Sequence, residues 1–137
     1  MIPSKKVNLA WTGDGLTFRG GVPDGPEVIV DGGSEAGPSP MDFLLVSVAG
    51  CMGVDVRMIL EKSRVPVEGL EVEIEGERAE SHPKRYTRIR LIYRIAGPGE
   101  EHDARLQRAV DLSREKFCSV LHSLRPDIDV EIEIHRA

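Results

Sequence analysis

"GPSPMDFLLVSVAGCMGVDV", residues 37–56, is the stretch on which the reading of this chain turns. Ser39 suits an N-cap, Pro40 suits the first helical position, and Asp42 can reach back to the cap in a capping-box arrangement. From there the pattern predicts a helix running to about Ser63, because Pro66 forbids much further extension. The first half of this helix is apolar all round, and its second half, "DVRMILEKSR", is amphipathic with Val56, Ile59 and Leu60 on one face. A helix that is apolar on every side must be covered on every side. A chain of 137 residues has limited material for that, so a second subunit is expected to cover part of it. At its centre a single thiol, Cys51, sits among Ala49, Gly50 and Gly53. Free cysteine packs well as a small hydrophobe, yet small neighbours also let another backbone or a small molecule approach the sulfur.

Working outward, the N-terminal side reads as three short strands. "KVNLAW" and "LTFRG" flank the turn "TGDG", in which Gly13 and Gly15 can take positive φ, and "PEVIVDGG" gives the third strand before the loop at residues 31–38. Trp11 and Phe18 suit hairpin packing. On the C-terminal side "LEVEIEGE" alternates with period two, as does "RYTRIRLIYRIAG". The two are expected to pair antiparallel with Glu and Arg rows opposed on the solvent face. "HDARLQRAVDLSRE" predicts a helix with Leu106, Ala109, Val110 and either Leu112 or Ser113 inward; "FCSVLHSLRP" predicts a short second helix, and "DIDVEIEIHRA" a last strand. The order β-β-β-α-β-β-α-α-β defines an α+β fold in a single domain spanning residues 1–137.

Composition narrows the function classes. A formal net charge of −5 gives no electrostatic reason to seek nucleic acid, and only 4% aromatic residues leaves no stacking platform for single strands. The longest apolar run, Phe43 to Val54, falls short of a bilayer span, and the first ten residues lack a secretory h-region, so neither membrane nor nucleic acid is an expected partner. The expected setting is a reducing cytoplasm, where a permanent disulfide is unusual. A single Asn and a single Gln fit a thermophilic source.

The second thiol, Cys118, lies 67 residues after the first (118 − 51) and near the start of the short helix, where backbone N–H groups favour a thiolate. His122 follows Cys118 by four residues and could share its helix face. With Cys51 that makes at most a partial zinc site, so no metal and no other cofactor is expected. His82, His102 and His135 read as solvated; Asp55 and Arg57 read as ending the apolar segment at a subunit rim.

"GPSPMDFLLVSVAGCMGVDV" followed by "AVDLSREKFCSVLHSL" (residues 109–124) resembles the OsmC/Ohr family of hydroperoxide-reducing proteins, in particular its YhfA-like branch, where "SPM" plus an acid opens the long helix and "EK" plus an aromatic precedes the second "CS". The resemblance implies an intertwined homodimer with two long central helices wrapped by sheets. It implies that Cys51 is the peroxidatic thiol, Cys118 the resolving thiol, a small organic hydroperoxide the substrate and an external dithiol the reductant. In the peroxidase members a Glu directly follows the helix-opening Pro and an Arg from the first hairpin reaches the first cysteine. Here Met41 follows Pro40, with the acid one place later at Asp42, and "TGDG" holds no Arg, so Arg19 is the candidate thiolate stabiliser and Asp42 the candidate that orients it. For Asp42 plain helix capping is the competing role, and for Arg19 a solvated strand position. The competing function is a non-catalytic, stress-associated dimer that binds a small apolar ligand in the same crevice.

Overall fold

The computed structural model describes residues 2–137 and divides into two compact units, an N-terminal one through Leu44 and a C-terminal one from Leu45 to Ala137. The N-terminal unit is a three-stranded antiparallel sheet of β1 (Asn8–Trp11), β2 (Thr17–Gly21) and β3 (Val28–Asp31), in that order. Its hairpin turn depends on Gly13 at φ +90° and Gly15 at φ +51°, and the Trp11 indole N–H locks it by donating to the Gly15 carbonyl at 3.0 Å. Register places Leu9, Trp11, Phe18, Val28 and Val30 on one face, and of these Leu9, Trp11, Phe18 and Val28 are exposed in the single chain. The loop after β3 is organised by Asp31, a buried residue whose carboxylate accepts the backbone N–H groups of Gly33, Glu35 and Ala36 at 2.8, 3.2 and 2.9 Å.

The long helix, α1, spans Pro40–Lys62 and starts as its sequence dictates. Asp42 N–H donates to Ser39 Oγ at 3.2 Å while Asp42 Oδ2 accepts the Ser39 N–H at 3.0 Å, a reciprocal capping box. By length and composition α1 could cross a bilayer, although its uninterrupted apolar run, Phe43 to Val54, is shorter than a span. One stripe of it, Val48, Met52, Val56 and Leu60, is fully buried at a four-residue spacing. The opposite side, Val46, Val54 and Met58, stays exposed in the single chain, at 55%, 58% and 51%.

In the C-terminal unit β4 (Gly69–Arg78) and β5 (Tyr86–Ala96) pair antiparallel, and β6 (Asp129–Arg136) joins the other edge of β5 in parallel. The parallel return requires a crossover. It is made by a single 3-10 turn (Glu100–His102), α2 (Asp103–Leu112), a π-helical turn (Ser113–Phe117) and α3 (Ser119–His122). The inner face of β5 presents Ile89, Leu91, Tyr93 and Ile95, all at most 1% exposed, and α2 contributes Leu106, Ala109 and Val110 to the same core. α1 lies against β4: a Cβ built on Gly53 would sit 3.5 Å from Val72, and one built on Gly76 would strike the Tyr86 ring at 2.5 Å beneath Leu45. The outer face carries the expected charge rows, with Arg88, Arg90 and Arg94 of β5 paired to Glu77, Glu131, Glu133, Glu71 and Glu73 of the flanking strands.

Candidate functional site

Cys51 and Asp55 are four residues apart on α1, so they share one helix face. Cys118 is delivered to that face by the π-helical turn. There the Cys118 N–H donates to the Ser113 carbonyl at 2.8 Å, a five-residue reach that inserts one residue into the helical path. Ser113, fully buried, donates its hydroxyl to Asp55 Oδ2 at 2.9 Å and so ties the turn to α1. The result is a cluster in which Cys51 Sγ, a carboxylate oxygen of Asp55 and Cys118 Sγ all lie within 4.8 Å of one another. Cys51 and Asp55 are half-buried, Cys118 fully buried, and both thiols are free.

The electrostatics of Cys118 follow from that placement. Burial pushes its thiol up to about 11; the Leu121 N–H, which donates to Sγ at 3.3 Å as Cys118 caps α3, pulls in the other direction; the hydrogen bond and charge of Cys51 and the charge of Asp55 add to the rise. The expectation that a helix start favours a thiolate is therefore met locally and outweighed by burial. Tyr93 stands in the same field. Its hydroxyl is buried with no hydrogen-bond partner among the described residues, and burial, then Cys118, Asp55 and Cys51, push its ionisation upward, so it remains a phenol. A surface cavity of about 220 Å³, lined by Asp55, Met58, Ile59, Lys62 and Phe117, adjoins the cluster through Asp55.

The other sequence candidates have local partners of their own. Arg19 pairs with Glu27 at 3.7 Å on the exposed surface of the N-terminal sheet. Asp42 completes the capping box with Ser39, and the backbone and side-chain hydrogen bonds from Ser39 hold its carboxyl below the usual range. His122 does not turn toward Cys118. Its Nε2 meets the Arg114 carbonyl at 2.9 Å, the group that the π-helical turn leaves without its usual helical donor. Asp55 is not a mere terminator of the apolar segment but the third member of the cluster, and it is the residue that the sequence reading missed. The signal was available: Asp55 stands one helical turn after Cys51, and Ser113 opens the segment that carries Cys118. His102, expected to be solvated, is largely covered, with 17% of its side chain exposed. Among the described residues the clustered donors able to hold a soft metal are the two thiols and the Asp55 carboxylate, one ligand short of a closed tetrahedral set.

Two thiols within reach, one of them resting on an α+β scaffold with a long central helix, define a dithiol protein. The chain belongs to the OsmC-like protein family, whose family model matches residues 32–133. It is 40% identical to Protein YhfA of Escherichia coli (strain K12) over 126 residues, which is 91% of this chain and 92% of that protein. Among solved structures it resembles a hypothetical protein from Aquifex aeolicus VF5, with a TM-score of 0.87, 36% identity and coverage of 99% of this chain and 98% of that one. The same fold occurs in the organic hydroperoxide resistance protein OsmC from Legionella pneumophila, with a TM-score of 0.68, 16% identity and 98% coverage of each chain.

Proposed function

We propose that this protein is a thiol-dependent peroxidase for organic hydroperoxides, working as a homodimer. The observation that carries the reading is the approach of two sulfurs 67 residues apart in sequence to within 4.8 Å. A disulfide closes at about 2 Å between sulfurs, a distance that side-chain rotation can supply from there. In the reaction the Cys51 thiolate attacks the outer oxygen of the hydroperoxide. The O–O bond breaks, an alcohol leaves, and Cys51 becomes a sulfenic acid. The Cys118 thiol condenses with it to a disulfide and water, and an external dithiol restores both thiols. The apolar wall of Met58, Ile59 and Phe117 beside Asp55 suits the hydrocarbon part of such a substrate. The hydroperoxide resistance named for the Legionella pneumophila protein of the same fold agrees with this reading.

The test is consumption of cumene hydroperoxide in the presence of excess dithiothreitol. The wild-type protein is expected to turn over, Cys51→Ser to be inactive, and Cys118→Ala to form a dimedone-reactive sulfenate but to cycle poorly. Wild-type protein that leaves the peroxide intact overturns the proposal in favour of a dimer that binds an apolar ligand.

A further inference from the structure

We infer that the Asp55 carboxylate is the proton acceptor for Cys118 during disulfide closure, and that it returns the proton to the oxygen leaving Cys51. This rests on the peroxidase reading for its second half; the first half, activation of the Cys118 thiol, rests on the geometry of the cluster and on the burial of that thiol. Asp55 supplies the one carboxylate in the cluster, and the other oxygen group beside it, the Tyr93 hydroxyl, remains a phenol. One carboxylate oxygen lies within 4.8 Å of both sulfurs. The other interactions fix its position: Ser113 Oγ donates to Oδ2 at 2.9 Å, and Ser113 itself is the residue whose carbonyl anchors the Cys118 N–H. The base and the thiol it serves are thus fastened to the same turn.

The need for such a base is physical. A thiol pushed up to about 11 keeps its proton at pH 7, and the thiolate is the nucleophile. Closure transfers the Cys118 proton to the Asp55 carboxylate as the sulfur attacks Cys51 Sγ. The S–S bond forms, the S–O bond of the sulfenic acid breaks, and the departing hydroxide takes the proton from the Asp55 carboxyl to leave as water. Cys118 is oxidised along with Cys51 by the one peroxide already consumed, and Asp55 ends as it began.

Charge and proton transfer make opposite predictions for Asp55→Asn, which separates them. The groups facing Cys118 are Cys51 and Asp55 from α1 and Tyr93 from β5, and Lys62 also lines the cavity that adjoins Asp55. Removing the Asp55 charge eases ionisation of Cys118, so a purely electrostatic role accelerates closure in the variant. A proton-accepting role slows it. The experiment labels Cys51 with Ellman's reagent and follows release of the second aromatic thiolate as Cys118 displaces it, a step that needs no peroxide. The expected result is release at least tenfold slower in Asp55→Asn at pH 7, rising steeply with pH in the variant but not in the wild type, so that the two converge as Cys118 ionises unaided. Asp55→Ser, which also lacks a base, is expected to behave alike, and an unchanged near-ultraviolet circular dichroism spectrum establishes that each variant is folded. Release as fast as or faster than wild type in either folded variant overturns the inference. Peroxide consumption is measured in parallel: wild type that releases the label but spares peroxide sinks the peroxidase reading and leaves Asp55 as the base of a dithiol centre.

Discussion

Cys118 holds its proton under conditions in which an exposed thiol would begin to lose it, and pH is therefore a direct probe of its surroundings. Its ordinary value near 9 is raised to about 11 in the fold, chiefly by burial. A raised folded value means that its contribution to stability is complete below about pH 9 and is lost as pH climbs toward 11. Reduced wild-type protein is expected to lose melting temperature more steeply over that interval than Cys118→Ala, as followed by circular dichroism; parallel curves would show that the thiol ionises as freely as in the unfolded chain. At this scale the sequence was partly legible. The two thiols stand out in their motifs, and helical spacing by itself puts His122 on the same face as Cys118. The π-helical turn intervenes: it exposes the Arg114 carbonyl, and the His122 ring goes there. Asp55, a charge at the end of an apolar run, reads in the sequence as a boundary, and only the crossover from β5 to β6 brings Ser113 to it.

At the scale of the element, α1 was readable to within a residue at each end because its signals are local. Ser39, Pro40 and Asp42 are a start sequence, and Pro66 limits the end. Ser39→Ala removes the hydroxyl that accepts the Asp42 N–H and is expected to cost about 0.5–2 kcal/mol by urea titration; no loss would mean the cap is satisfied some other way. Within the buried stripe Met52 is fully enclosed, so Met52→Ala is expected to destabilise by about 2–5 kcal/mol in the same titration, whereas a change below about 1 kcal/mol would contradict the packing. The π-helical turn had no such signature. One inserted residue leaves composition and periodicity almost unchanged, and what holds it, the buried Ser113 and the pairing of His122 with Arg114, comes from contacts made after the chain has folded back. The loop after β3 is similar: "DGGSEAGP" announces a loop, but not that Asp31 gathers three of its N–H groups.

For the whole molecule the open question is what covers the apolar surface that a single chain leaves bare. Val46, Val54 and Met58 on α1 are exposed, and so, within the N-terminal sheet, are Leu9, Trp11, Phe18 and Val28; each unit bares more apolar side chain than scattered surface residues explain. A second copy is the proposed cover. Light scattering is expected to return twice the 15.1 kDa chain mass for wild type and a shift toward the single chain for Val54→Glu, while a monomeric wild type would contradict a dimer. The order of elements and the solvent-facing Glu and Arg rows were legible because strand periodicity reports them directly, whereas the cluster of thiols with Asp55 emerges only from the way the C-terminal crossover is folded. The proposed chemistry requires that cluster to close. Its most direct test is the intact mass and peptide map of reduced protein after one equivalent of cumene hydroperoxide. The prediction is a loss of two hydrogens and a peptide pair joined through Cys51 and Cys118; an unchanged mass, with both thiols still open to alkylation, would contradict it.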